Sequence, residues 1–265
     1  MIAMAAKALP ASQPAARPDA RPDARSVSLS ERVLAALSTV VDPELDEPIT
    51  ELGFVRSIRI RNGDVTVHLR LPTSFCSPNF AYLMASDALD ALRQVERIGR
   101  VVVQLDDHHD SDKINAGLAA DAGYVGTFGV EAETSLDELR EIFHRKAHTA
   151  AMERCAEALL RTTELAVDEL HAARLADVPA GPHKEALLRR RAAVGLGVRP
   201  DDPLVVDEEG RPLAAADVPL RLRFAKAVRI SIEGNAHFCR GLLATRYGDV
   251  TTDVTPDVTT ERSTS

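Results

Sequence analysis

Cys76 stands in the run Pro72-Thr73-Ser74-Phe75-Cys76-Ser77-Pro78, where Ser77 and Pro78 read as a helix N-cap and a first-turn proline. A thiol just ahead of a helix meets unpaired N–H groups and the positive end of the helix dipole. These favour the thiolate and make Cys76 a soft metal ligand or a nucleophile. A second cluster, Asp42-Pro43-Glu44-Leu45, offers two carboxylates. A third, Asp106-Asp107-His108-His109-Asp110 with Asp112, offers hard and borderline donors suited to iron or zinc, with His109 and Asp110 as the candidate metal ligands. Each has a plainer reading. A free cysteine is commonly a small buried hydrophobe, and Asp42 before Pro43 can simply end a helix, since proline disfavours helical geometry in the residue before it. Adjacent histidines on a strand point to opposite faces, and Asp110 or Ser111 can cap a helix.

The elements between these clusters decide whether they meet. Asn62-Gly63 suits the two positive-φ positions of a type I′ hairpin turn. Phe54, Ile58 and Ile60 precede it on one face, and Val65, Val67, Leu69 and Leu71 follow it, alternating with Thr66, His68 and Arg70. An undisturbed register sets Phe54 opposite Leu71, so the loops entering and leaving the hairpin share its open end and Asp42, Glu44 and Cys76 should be neighbours. From Pro78, the residues Phe80, Leu83, Met84, Ala88, Ala91, Leu92 and Val95 recur at helical spacing, and Gly99 precedes a strand with Val101, Val103 and Leu105. A right-handed β-α-β crossover lays that strand parallel to the second one, and its exit reaches the same open end.

Beyond residue 107 the pattern is mostly helical. Ser111 can cap a short helix through Ala122, and Gly123, Gly126 and Gly129 mark an irregular connection. Ser135 and Glu138 form a capping-box pattern before a long helix or kinked pair extending to about Ala173. Pro182 and Gly195 bracket another helix, whose Arg189, Arg190 and Arg191 read as a solvated face. After a loop between Pro200 and Pro212, the residues Leu220, Phe224, Ala227, Val228 and Ser231 suggest a final helix with breaks at Gly234 and Gly241. Cys155 and Cys239 fall among apolar neighbours and read as core. The expected fold is α+β: a small α-β-β-α-β domain with a mixed sheet at 28–107, then a mostly helical region at 108–248. Tails flank it at 1–27, with repeated Ala-Arg-Pro-Asp, and at 249–265, with repeated Asp-Val-Thr.

Composition narrows the function classes. A chain of 265 residues that is 45% hydrophobic can bury one sizeable core or two smaller ones. No apolar run approaches the ~20 residues of a membrane span, and Met1-Ile2-Ala3-Met4-Ala5-Ala6 is broken by Lys7 and Pro10, so no targeting signal is read and cytoplasm is the expected compartment. Net charge of -8 argues against a nucleic-acid partner. Three widely spaced cysteines with no C-x-x-C pair argue against a disulfide framework and a zinc ribbon.

Across residues 28–107 the chain resembles the PaaD/SufT-type iron-sulfur cluster assembly domain. The resemblance rests on the opening helix, Asp42-Pro43-Glu44, Ile49-Thr50-Glu51-Leu52-Gly53-Phe54-Val55, the hairpin, and the Thr/Cys/Pro loop before a helix. It implies an α+β domain that supports maturation of iron-sulfur or other metalloproteins, with the loop cysteine as its reactive residue; Asp42, Glu44, Thr73 and Cys76 carry over. Many members have Cys-Pro, whereas here Ser77 separates Cys76 from Pro78. The segment His109-Asp110-Ser111-Asp112-Lys113-Ile114-Asn115-Ala116-Gly117 resembles extensions found on this domain in bacterial proteins associated with binuclear iron monooxygenases, which implies an oxygenase client and a helical docking surface.

Ligand counting shapes the expected mechanism. Stable clusters usually take four thiolates, so one loop cysteine per chain cannot hold a cluster tightly. The expectation is a non-enzymatic accessory factor whose Cys76 transiently handles iron, a cluster or sulfide, with no tightly bound cofactor. Either two chains each contribute Cys76, as a homodimer, or a client metalloprotein or iron-sulfur carrier completes the shell. The alternative is a non-catalytic adaptor that chaperones a monooxygenase subunit through its helical half. A third reading, a metal-dependent hydrolase centred on His108, His109 and Asp112, lacks a recognisable general base.

Overall fold

The computed structural model describes residues 27–132, 136–248 and 251–255. Helix α1 (Leu29–Leu37) starts with a reciprocal capping box between Ser28 and Glu31 and buries Val33 and Leu37. The short antiparallel pair β1 (Val41–Asp42) and β2 (Glu47–Pro48) then frames the acidic loop. Next come β3 (Val55–Arg61), β4 (Asp64–Arg70), α2 (Pro78–Arg93) and β5 (Val101–Asp106). The sheet is mixed, as expected: β4 is antiparallel to β3 and parallel to β5. At the turn, Asn62 (φ 52°) and Gly63 (φ 84°) both adopt the left-handed conformation that type I′ requires.

The register departs from the expected one at the open end. Pairs run from Arg61↔Asp64 to Ser57↔His68 as the turn dictates, but the ladder then slips, with Val55 opposite Leu69. Consequently Phe54 meets Arg70, whose N–H donates to its carbonyl at 2.8 Å, instead of Leu71. The reason is Arg56. Unbroken alternation would drive it into the core beside Ile58 and Ile60, and a bulge turns it outward instead, where it pairs with Asp106 at 2.9 Å while Phe54 and Val55 both stay buried.

The far edge of the sheet holds a second departure. Asp253–Thr255, in the segment read as a tail, forms β6 and pairs in parallel with β3, giving the order β5-β4-β3-β6. Thr252 secures it by donating to the Val55 carbonyl at 2.9 Å. Three polar-spaced residues carry no periodicity from which a strand could be read.

The helical region comprises α3 (Ser111–Ala119), α4 (Gly123–Phe128), α5 (Leu136–Thr162), α6 (Pro182–Ala193) and α7 (Val218–Tyr247). The expected cap Ser135 lies outside the described residues. The glycine-marked connection is helical as α4, which packs Tyr124 and Phe128 against Tyr82. Helix α5 stops at Thr162, short of Ala173, where the Thr162 and Thr163 hydroxyls donate back to the Leu159 carbonyl. Arg190 and Arg191 do not form a solvated face: Arg190 grips Asp46, and Arg191, 2% exposed, donates to the carbonyls of Gly197 and Pro203. Helix α7 runs through Gly234 and Gly241 without a break because it is held at both ends. Val218, Leu222 and Ala225 enter a second core with Met152, Leu187 and Leu204, whereas Ala236 and Leu243 join the core beneath the sheet. Among the described residues no helix is long and apolar enough to cross a membrane.

Candidate functional site

Cys76 sits between β4 and α2, half-buried at the margin of the sheet core. The Thr73 hydroxyl lies 3.5 Å from its sulfur and also accepts the Phe75 N–H, which tightens the loop around the thiol. Ser77 occupies the N-cap and Pro78 the first helical position, but the Ser77 hydroxyl makes no cap bond. The helix end is therefore not closed by its own side chain.

The acidic loop is built around Asp42. Its Oδ1 accepts the backbone N–H groups of Glu44 and Leu45, both at 2.9 Å, which fixes the turn through Pro43. Asp42 is 6% exposed. Loss of hydration pushes its carboxyl up to about 6 despite those two donors, and the neighbouring Glu44 charge adds to the effect. Asp42 also lines a cleft of about 790 Å³ between β1 and α2 on one side and α5 and α6 on the other. Two charge pairs line it, Arg140 forking onto Asp87 and Arg190 onto Asp46.

The element that joins the two loops is α7. Asn235 donates to Glu44 at 3.3 Å, and Arg240 pairs with Glu47. Arg246 donates to the Leu71 carbonyl at 3.2 Å, to Ser74 Oγ at 2.9 Å and to the Asp107 carbonyl at 2.7 Å. Between these anchors lies Cys239, half-buried against the same core as Cys76. Burial raises its thiol to about 11, and the nearby Cys76, Asp42 and Glu44 groups push in the same direction. The three groups expected to be neighbours thus all lie within electrostatic reach of one sulfur. Sequence reasoning took Cys239 as core and missed Arg246 altogether; more than a hundred residues separate both from the loops, and no local pattern links them.

The third cluster serves as framework. His108, 5% exposed, accepts the Asp110 N–H on Nδ1 at 3.1 Å, so its ring hydrogen lies on Nε2 and is donated to the Cys76 carbonyl at 2.8 Å. Both ring nitrogens are engaged, which leaves no lone pair for a metal. The His109 N–H donates to the Ser74 carbonyl at 2.9 Å, while its exposed ring lies against Phe75. Asp110 is the N-cap of α3. Further along, Asn115 accepts from the Leu105 N–H at 2.8 Å and donates to its carbonyl at 3.1 Å, closing the edge of β5. At Gly117 a Cβ would come within 2.0 Å of the Thr127 hydroxyl, so glycine is what allows α4 to approach. Among the described residues no group of three or more His, Cys, Asp or Glu side chains is arranged to hold a metal ion.

The family comparison falls on this sheet domain. The family model described as iron-sulfur cluster assembly protein matches residues 30–105. An uncharacterized protein of Methanocaldococcus jannaschii is 32% identical over 89 residues, which make up 33% of this chain and 92% of that protein. The chain belongs to the iron-sulfur cluster assembly protein family. The chain is also 34% identical over 100 residues to an iron-sulfur cluster carrier protein of Mycobacterium leprae, an alignment that takes in 37% of this chain and 26% of the carrier. The chain therefore spans about a quarter of that relative's length. No solved structure matches it significantly. The family match ends at the exit of β5, so α3 to α7 lie beyond it.

Proposed function

We propose that the protein is an accessory factor in iron-sulfur cluster assembly, acting as a non-enzymatic handler of iron, a cluster or sulfide at Cys76. The observation that carries this reading is the half-buried sulfur held at the sheet rim by Thr73 and by the His108 bond to its own carbonyl. Such a thiol is fixed in place yet reachable, which suits transfer better than storage. Asp42 shapes the acidic turn through its two backbone bonds and Glu44 ties that turn to α7. The carrier named among the relatives supports a cluster as the cargo.

Cluster chemistry asks for more sulfur than Cys76 supplies, so the shell is completed by a client metalloprotein, an iron-sulfur carrier or a second copy. A binuclear iron oxygenase is the client we favour, on the resemblance of the His109 to Gly117 segment. Cys76→Ala should leave folding intact and lower the iron content of the client when the two are co-expressed. Metal analysis of the purified client reads this out, and unchanged loading would refute the assignment.

A second reading is supported by Leu220, Phe224, Ile230 and Phe238 of α7, all more than half exposed. As a non-catalytic adaptor, the protein would bind an oxygenase subunit through this apolar face. Phe224→Asp with Phe238→Asp would then abolish co-purification of the client, and Cys76→Ala would have no effect.

A further inference from the structure

We propose that Cys76 and Cys239 together form a two-thiolate half-site for an iron-sulfur cluster, leaving two positions for thiolates of the client. The inference rests on the reading of Cys76 as the cargo-handling residue and adds a ligand from outside the family domain. Asn235, Cys239, Leu242 and Arg246 recur at i, i+4, i+7 and i+11 along α7 and share one helix face. The first of them bonds Glu44 in the acidic turn, and the last bonds Ser74, two residues before Cys76. A residue between those anchors on that face is directed at the ground between the two loops. Cys239 meets this expectation: it packs on the same core as Cys76 and lies within electrostatic reach of Cys76, Asp42 and Glu44. Both thiols are free.

The arithmetic of ligation then changes. A cluster held by four thiolates needs three foreign sulfurs if Cys76 acts alone, but two if Cys239 joins it. On binding, each thiol loses its proton as its sulfur displaces one ligand, a water or a thiolate of the cluster's donor, from an iron; the proton passes to water or to the departing thiolate, and no electron moves. Handover to the client reverses this at each sulfur. Because Cys239 stands on a helix pinned by Arg246 and Asn235, the half-site depends on the helical region staying docked on the assembly domain.

The test uses the full chain and Co²⁺ as an anaerobic probe, since sulfur-to-cobalt charge-transfer absorption scales with the number of thiolates bound. Cys239→Ala and Cys76→Ala should each lower that absorption to roughly half per bound ion, and each should weaken binding roughly tenfold or more. Cys155→Ala, in the second core with its thiol donating to the His183 carbonyl, should match wild type. Loss of all charge transfer in Cys76→Ala with wild-type behaviour in Cys239→Ala would overturn the half-site and leave the reading of Cys76 standing. Wild-type behaviour in both would overturn both. A measurement on the unmutated chain guards against a folding artefact: a bifunctional bimane should bridge Cys76 to Cys239 in one peptide, and only single-arm adducts would refute the pairing.

Discussion

The assembly domain and the helical region solve the problem of a stable interior in different ways. Beneath the sheet, Phe54, Ile58, Val65, Val67, Leu69 and Leu105 interlock with Met84, Leu89 and Leu92 of α2 in a continuous apolar core. The second core is smaller and is threaded with charge. Glu153, 5% exposed, pairs with Arg229 across α5 and α7, Arg191 feeds two loop carbonyls, and Arg221 donates to the Val206 carbonyl. Apolar burial tolerates adjustment, whereas a buried ion pair holds only while both partners are present. The sheet domain is therefore a platform held by apolar packing, to which Ala236 and Leu243 of α7 also contribute, and the helices form a latch whose integrity depends on a few polar bonds.

The largest effects should come from breaking each kind of interior. Arg229→Met strands the Glu153 carboxylate and should cost about 3–5 kcal/mol in urea unfolding. Adding Glu153→Leu should recover most of that loss, since a well-packed apolar pair replaces buried ions at little net cost. In the sheet domain Phe54→Ala should cost about 3–5 kcal/mol through cavity formation, with no comparable second-site rescue by a charge-removing change. If the Arg229 double variant stays as unstable as the single one, the distinction between platform and latch fails.

The next effect separates the regions by pH. Asp42 has a folded value of about 6 against an ordinary 3.8, so the folded state holds the proton more tightly. Its contribution is fully present below the ordinary value and is lost as pH rises through about 6, by about 3 kcal/mol. His148 runs the other way: burial and the nearby Arg191, Arg221 and Arg145 charges lower it from 6.5 to about 4, and its Nε2 finds no partner among the described residues. Its contribution is present above pH 6.5 and is lost, again by about 3 kcal/mol, as pH falls toward 4. Unfolding midpoints measured from pH 4 to pH 7 should show Asp42→Asn removing the alkaline-side loss, because an amide oxygen can still accept both backbone bonds, and His148→Leu removing the acid-side loss. Identical pH profiles for wild type and both variants would contradict the assignment. The smallest effect is expected at Arg240→Ala: its pairing with Glu47 is solvent-exposed, and stability should change by less than ~1 kcal/mol by the same assay.

Legibility in the sequence followed the same division. Strict alternation across Asn62-Gly63 made the hairpin, the crossover helix and the parallel strand readable, because one wet and one dry face leave a period of two. Arg56 interrupted that period, and the bulge that accommodates it shifted the register by one residue. In the helical region, buried Arg191, Glu153 and His148 break the apolar stripe, so helix ends and inward faces were misread at Arg190, Arg191 and Thr162.

For the candidate site, spacing over residues 28–107 was enough to bring the loop that carries Cys76 and the acidic loop at Asp42 toward one end of a hairpin, whereas the family was read from the resemblance of its motifs. The tertiary structure decided the rest. It turned His108 from a candidate ligand into the clamp on the Cys76 carbonyl and carried Cys239 and Arg246 to the loops along a 30-residue helix. Docking a distant helix is set by the summed packing of two cores, and no local pattern encodes that sum.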